Sequence, residues 1–196
     1  MVELFRDQWL FVVDKAAGEP TQSTHKDERG LFEYLRTLYP YVGLHHRLDR
    51  AASGALLFSL DRGVNRSLAE AFRSHTICRK YRAVLYGEVE KEAQWEMPLA
   101  GKAASTSVRL LGSGRGLAAV QAELKTGRKH QIRQHAAMAG TPIVGDRRYG
   151  GEVARRWPRL ALHACEISFE HPKTGKHICV TSSLPPSMQQ LWEQVF

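Results

Sequence analysis

Three polar clusters contain the residues whose types and spacing could do chemistry: HHRLDR at 45–50, CRKYR at 78–82 and TGRKHQIRQH at 126–135. Each lies beside a predicted strand end or helix start, where outward-facing backbone N–H groups can hold phosphates together with cationic side chains. The pattern therefore predicts that the three clusters line one basic cleft.

The first cluster has a single carboxylate, Asp49, among the side chains of His45, His46, Arg47 and Arg50. Nearby positive charge keeps a carboxylate ionised, and an ionised carboxylate can serve as a nucleophile or a base. A structural ion pair is the common alternative for such a cluster. A metal site built from the two histidines and Asp49 is a weaker alternative, because the arginines oppose a cation and no further ligand set follows.

The second cluster places Tyr81 in an alternating sequence that predicts a strand over 79–89. Aromatic residues are common in strands because they pack well on a half-buried sheet. On this pattern alone, Tyr81 is an ordinary strand tyrosine with its ring in the core.

The third cluster begins a predicted helix over 129–139 that ends at Gly140. The spacing places His130, Arg133 and Gln134 on one face of this helix and directs Ile132 to the interior. That polar face is either a ligand-binding face or an ordinary solvated one.

Apolar patterning predicts the elements that position these clusters. A buried strand over 8–14 leads into a turn over 15–20, and a helix that starts at Leu31 ends before Pro40. The remaining predicted elements are a strand over 55–60, a helix from Asp61 to about Ser74, two strands with a tight turn within 101–116, strands over 117–125 and 160–170, a loop over 142–151 and a helix over 186–195. This order predicts an α+β fold dominated by sheet.

Composition narrows the class of protein. The 196 residues are 43% apolar, which predicts one compact domain over 1–196. The net charge of +8 favours an acidic partner such as nucleic acid, although many basic proteins are basic for solubility alone. Three widely spaced cysteines with no CxxC pair predict neither a disulfide framework nor a zinc site, and the apolar run at 9–13 is too short for a signal peptide. The expected location is the cytoplasm, without a membrane.

The sequence resembles the RluA family of pseudouridine synthases, named for ribosomal large subunit pseudouridine synthase A. The matching blocks occur in the family's order and cover nearly the whole chain. They are HRLDRAASG at 46–54, RKYRAVLYG at 79–87, TGRKHQIRQHAAMAGTPIVGDRRYG at 126–150 and, more weakly, VVDKAAGEP at 12–20. Two departures are visible, since Ala52 stands where threonine is usual and Ala16 where proline is usual.

The resemblance implies a role for individual residues. Asp49 resembles the catalytic aspartate, and Arg47 resembles the arginine that fills the gap left by a flipped base. Tyr81 resembles the tyrosine that packs on the target uracil and is implicated in proton removal. Arg133 resembles the arginine that pairs with the aspartate, and Ile132 joins Tyr81 in lining the base pocket.

The resemblance also implies a mixed, largely antiparallel sheet with an active-site cleft across it, and no metal or organic cofactor. The expected partner is a stem-loop of rRNA or tRNA, bound by a monomer that has no room for an accessory RNA-binding domain before the catalytic one. The residues expected to contact RNA are Arg47, Lys80, Arg82, Arg128, Lys129, His130, Gln131, Arg147 and Arg148. The alternative is a non-catalytic RNA-binding or ribosome-assembly module.

Overall fold

The computed structural model describes residues 1–23, 28–154 and 156–196. The strands are β1 (Val2–Arg6), β2 (Leu10–Lys15), β3 (Gly43–Leu44), β4 (Ser53–Ser59), β5 (Cys78–Tyr86), β6 (Glu92–Trp95), β7 (Thr106–Gly114), β8 (Leu117–Leu124), β9 (Leu162–Glu170) and β10 (His177–Thr181). The helices are α1 (Leu31–Leu38), α2 (Asn65–Arg73), α3 (Gln131–Met138), α4 (Gly151–Ala154) and α5 (Pro186–Glu193). The predicted α+β class is confirmed.

Contacts within the chain group the residues into two compact units. The first unit consists of Met1–Cys78 and Ala164–Ser183, and the second of Arg79–His163 and Leu184–Phe196. The expectation that residues 1–196 form one catalytic domain stays a prediction.

The first unit is built on antiparallel strands in the order β1-β2-β4. Leu10, Val12 and the whole of β4 are buried, which explains why both strands read as continuous apolar runs rather than as alternating ones. β3 pairs with β4, and β10 pairs with β9. The strands predicted over 8–14 and 55–60 are confirmed.

Helix α2 packs on the apolar core of this unit. Leu68 of α2 packs in one core cluster with Leu10, Leu57 and Phe169. The predicted cap at Asp61 is confirmed, because its Oδ1 accepts a hydrogen bond from the Gly63 amide at 2.7 Å. It caps a single 3-10 turn that leads directly into α2.

The second unit contains antiparallel strands in the order β5-β8-β7-β6. Tyr81 of β5 lies opposite Ala122 of β8. The helix predicted over 129–139 is confirmed as α3, and Gly140 follows it with a φ of 76°. The terminal helix is confirmed as α5.

The prediction of two strands with a tight turn within 101–116 is wrong, because β7 runs unbroken over most of that range. The turn comes later, at Arg115 and Gly116, which both have positive φ and join β7 to β8. The earlier glycines serve close packing instead. A Cβ on Gly112 would lie 2.1 Å from the Phe196 ring, and one on Gly114 would lie 2.5 Å from the Val195 carbonyl oxygen.

Candidate active site

Asp49 lies in a loop of the first unit between β3 and β4, half-buried, with Leu48 buried before it. The Thr21 hydroxyl holds this loop by donating to the Leu48 carbonyl oxygen at 3.0 Å and accepting from the Leu48 amide at 3.2 Å. On the other side, the Ala52 amide donates to the Asp49 carbonyl oxygen at 3.0 Å. The backbone on both sides of Asp49 is therefore fixed.

The Lys15 side chain is fully buried and holds the backbone of Arg50, the residue after Asp49. Its ammonium donates to the carbonyl oxygens of Ala16 and Glu19, each at 2.8 Å, and to that of Arg50 at 3.3 Å. A buried ammonium is tolerated only when its donors are satisfied, and carbonyl oxygens meet that need here. The Gly18 amide also donates to the Arg50 carbonyl oxygen, at 2.7 Å.

The histidines of the first cluster support the loop through hydrogen bonds to β4. His46 Nε2 accepts from the Leu57 amide at 3.0 Å, and His45 Nε2 lies 2.9 Å from the Ser59 hydroxyl oxygen. Both rings stack on Phe72. Burial lowers the pKa of His45, which favours the neutral ring.

These contacts weaken the metal-site alternative, since the Nε2 lone pair of His46 already accepts a hydrogen bond. Among residues 1–23, 28–154 and 156–196, no group of three or more His, Cys, Asp or Glu side chains is arranged to hold a metal ion.

Arg47, in the same loop as Asp49, is exposed.

Tyr81 belongs to the second unit, where β5 holds its side chain 7% exposed. Side chains alternate between the two faces of a strand, so Lys80 and Arg82 point to the face opposite Tyr81. The Arg82 guanidinium lies over the Trp192 ring of α5, 5.6 Å from its centre. RNA that contacts Lys80 and Arg82 would therefore lie on the sheet face opposite Tyr81.

Arg133 of α3 is buried in a bidentate pair with Asp146. Nε donates to Oδ2 at 2.8 Å, and Nη2 donates to Oδ1 at 2.9 Å. Oδ1 also accepts the amides of Arg148 at 2.9 Å and Tyr149 at 3.1 Å. Burial alone would raise the pKa of Asp146, but the hydrogen bonds from Arg133 and the two amides outweigh it and hold that pKa below its usual value.

Tyr149 links several predicted site residues of the second unit. Its hydroxyl lies 2.9 Å from His130 Nδ1, and the guanidinium carbons of Arg133 and Arg148 lie 5.2 Å and 5.5 Å from its ring centre. These distances are typical of cation–π contacts. The structure thus brings His130, Arg133 and Arg148 together around one ring.

Gln131, which the sequence predicts to contact RNA, is buried and hydrogen-bonded within the second unit, and the predicted contact stays a prediction. Its Oε1 accepts from the Thr126 hydroxyl at 2.7 Å and the Arg128 amide at 2.9 Å. Its Nε2 donates to the Ser105 carbonyl oxygen and the Thr106 hydroxyl, both at 2.9 Å. Gln131 therefore shapes the turn before α3 from inside.

The other predicted RNA-contact residues of the second unit differ in exposure. Arg128, Lys129, Arg147 and Arg148 are exposed, as phosphate contacts require. Ile132 is 3% exposed, so any base pocket that it lines lies under the surface.

Sequence reasoning missed Asp146, Lys15 and Thr21 as site residues. Asp146 lies in the segment GDRRYG of the third matching block, directly before two arginines. A single acidic residue next to cationic ones was the feature of the sequence that could have indicated it. Nothing in the sequence pattern indicates that Lys15 and Thr21 reach the Asp49 loop.

No helix in the described part of the chain is long and apolar enough to cross a membrane.

The sequence matches the family described as RNA pseudouridylate synthase over residues 9–138. It is 34% identical over 214 residues to ribosomal large subunit pseudouridine synthase C of Pasteurella multocida, an alignment that covers 96% of this chain and 66% of that relative. It is 31% identical over 229 residues to tRNA pseudouridine synthase C of Salmonella typhi, which covers 97% of this chain and 88% of the relative.

The fold is similar to that of Human RNA Pseudouridylate Synthase Domain Containing 1, with a TM-score of 0.81 and 25% identity over 95% of this chain and 85% of that one. Fold and sequence together define the pseudouridine synthase class, which isomerises uridine to pseudouridine in RNA. Within this class, the chain belongs to the RluA-like family. The resemblance stated from the sequence motifs, and the mixed, mostly antiparallel sheet that it implies, are confirmed.

Proposed function

We propose that this chain isomerises specific uridines of rRNA or tRNA to pseudouridine and that Asp49 is its catalytic carboxylate. The relatives named above are described as rRNA and tRNA enzymes, which supports these two substrate classes. We further propose that the chain acts in the cytoplasm as a monomer, without a metal or an organic cofactor.

The observation that carries the proposal is the fixed backbone around Asp49. Thr21 holds the residue before it, Lys15 holds the residue after it, and the Ala52 amide binds its own carbonyl oxygen. A reacting carboxylate must be held close to its productive geometry, and a rigid backbone provides much of that precision. A residue used only for a surface ion pair needs no such support.

The reaction breaks the bond between uracil N1 and ribose C1′, turns the base, and joins C5 to C1′. The proton leaves C5 and N1 gains one, so atoms and electrons balance without an oxidant or a second substrate. Asp49 would attack the ribose, attack the base or remove a ribose proton. Each route requires the ionised carboxylate.

A stacked uridine must leave the helix before a protein carboxylate can reach it, at a cost of about a few kcal/mol. The exposed Arg47, two residues before Asp49, is proposed to fill the space that the base leaves. Its exposure supports this role, because a side chain that enters RNA must not be committed to the core.

Tyr81 and Ile132 are proposed to line the base pocket, and their burial supports an apolar environment for the uracil. Arg133 is proposed to stabilise the ionised form of Asp49. The buried position of Arg133 supports this role, because charges interact more strongly away from water.

The test is pseudouridine mapping of total RNA from cells with and without the gene, with complementation by wild type, Asp49→Asn or Asp61→Asn. We expect a discrete site to disappear on deletion and to return with wild type and Asp61→Asn only. Asp61→Asn is the matched control, because asparagine caps a helical turn as well as aspartate does. Restoration of the pseudouridine by Asp49→Asn would reject Asp49 as the catalytic carboxylate. If deletion of the gene removes no pseudouridine, the non-catalytic binding module is favoured.

A further inference from the structure

The second unit contains a pocket of about 460 Å³ in which every charged lining residue is a cation. The four cations come from three segments of the chain that are far apart in sequence. They are Lys102, Arg128, Lys129 and Arg148. Converging positive charge in a concave surface focuses the field and attracts an anion.

The described acidic residues do not pair with these four side chains. Within the described residues 1–23, 28–154 and 156–196, no aspartate or glutamate forms an ion pair with any of them. Like charges held close together without a counter-charge repel one another, so an anionic ligand would relieve this repulsion.

Hydrogen bonds hold the guanidinium of one of these residues and the backbone of another. Arg128 Nε donates to the Ala103 carbonyl oxygen at 3.0 Å, which directs the guanidinium and involves neither Nη group. Gln134 Nε2 donates to the Lys129 carbonyl oxygen at 2.7 Å and holds the backbone of that lysine. Part of the ordering needed for binding is therefore already present.

The aromatic residue of the pocket favours a phosphate over a base. Bases in RNA complexes commonly stack on exposed aromatic faces. Here the guanidinium groups of Arg133 and Arg148 lie over the Tyr149 ring, so a base would have to compete with them for that ring. Tyr149 lines the pocket and also contacts Arg133, so the pocket lies next to Arg133.

We propose that this pocket binds a backbone phosphate of the substrate RNA near the target uridine, and that Lys102 is one of its contacts. The proposal rests on the proposed function, since it takes RNA as the ligand and Arg133 as part of the reaction site. It adds Lys102 and a defined subsite to the exposed arginines and lysines inferred from sequence.

The first test measures the dissociation constant of a short RNA hairpin with uridines in its loop, over a series of salt concentrations, for wild type, Lys102→Ala and Lys91→Ala. Lys91 is a matched control, because it is an exposed lysine of the same unit outside the pocket. We expect Lys102→Ala to weaken binding several-fold and to reduce the slope of log K against log salt by about 0.7 to 0.9, the value for one lost phosphate contact. Equal slopes for the two variants would overturn the proposal.

The second test replaces single phosphates of the hairpin by uncharged methylphosphonates. We expect one linkage near the modified uridine at which the replacement weakens wild-type binding but leaves Lys102→Ala unaffected. If no linkage shows this difference, Lys102 does not contact a phosphate near the target.

Pseudouridine formation in the same hairpin is measured separately. A reduced salt slope without turnover in any RNA would reject the isomerase and retain the phosphate pocket. An unchanged slope with normal turnover would reject the pocket and retain the isomerase.

Discussion

Arg133 and Asp146 form two parallel hydrogen bonds, of 2.8 Å and 2.9 Å, with both side chains buried. The carboxylate also accepts the amides of Arg148 and Tyr149. Asp146 thus fixes both the direction of the Arg133 guanidinium and the backbone of Arg148 and Tyr149, which line the cationic pocket.

Replacing Asp146 by asparagine should destabilise the protein by about 3 to 5 kcal/mol, because the buried Arg133 guanidinium would lose the Asp146 carboxylate with which it forms two hydrogen bonds. Urea unfolding measures this change in the free energy of unfolding. Asp61→Asn is the control and should stay within about 0.5 kcal/mol of wild type. An Asp146→Asn protein as stable as wild type would show that the pair contributes no net stability.

The stability of the protein should fall as the pH drops below the ordinary pKa of histidine, about 6.5. Burial lowers the pKa of His135 in the folded state, so the unfolded state binds the proton more readily. The contribution is fully present above the ordinary pKa and is lost as the pH falls towards the lower, folded value. Burial also lowers the pKa of His45, which makes the stability fall in the same direction as the pH drops.

Thermal or urea unfolding between about pH 5 and 8, the range around the ordinary histidine pKa, measures this effect. His135→Gln should show a smaller dependence of unfolding free energy on pH than wild type, and the exposed His177→Gln should match wild type. Identical pH dependence in all three proteins would contradict the assignment to His135.

Tyr81→Phe should lower the turnover rate while the dissociation constant for RNA stays near the wild-type value, if the hydroxyl assists proton removal. Tyr86→Phe, in the same strand, is the control and should keep its rate. Single-turnover kinetics at saturating enzyme separate chemistry from binding. An unchanged rate in Tyr81→Phe would leave Tyr81 with a packing role alone.

Lys15→Met should reduce kcat more than it weakens RNA binding, because the apolar side chain keeps the volume but removes three hydrogen bonds to the loop carbonyls. Kinetics with a substrate RNA give kcat, and filter binding gives the dissociation constant. A variant with normal kcat would show that the loop holds Asp49 without this ammonium.

Much of the fold could be predicted because its buried elements carry strong patterns. β2 and β4 are continuous apolar runs, and α1 shows helical spacing between Leu31 and Leu35. The missed elements, β1, β3, β6, β10 and α4, are short, so they depend on contacts with neighbouring segments and not on local sequence.

The candidate site could be predicted at its motifs but not in its supporting contacts. Asp49, Tyr81 and Arg133 stand in recognisable blocks. The hydrogen bonds of Thr21 and Lys15 join residues distant in sequence, and local periodicity carries no information about such pairs. Gly112 was misread for the same reason, because it meets the chain end at Phe196 rather than forming a turn.

The hydrogen bond from Lys15 to the Arg50 carbonyl oxygen spans 35 residues. A contact of this separation requires closure of a long loop, which occurs only when β2 and β4 have paired. A partly folded chain, or a fragment that lacks β2, would therefore carry the HRLDR motif without the geometry that surrounds Asp49. The geometry around Asp49 is in this sense a product of the tertiary fold and not of the HRLDR motif alone.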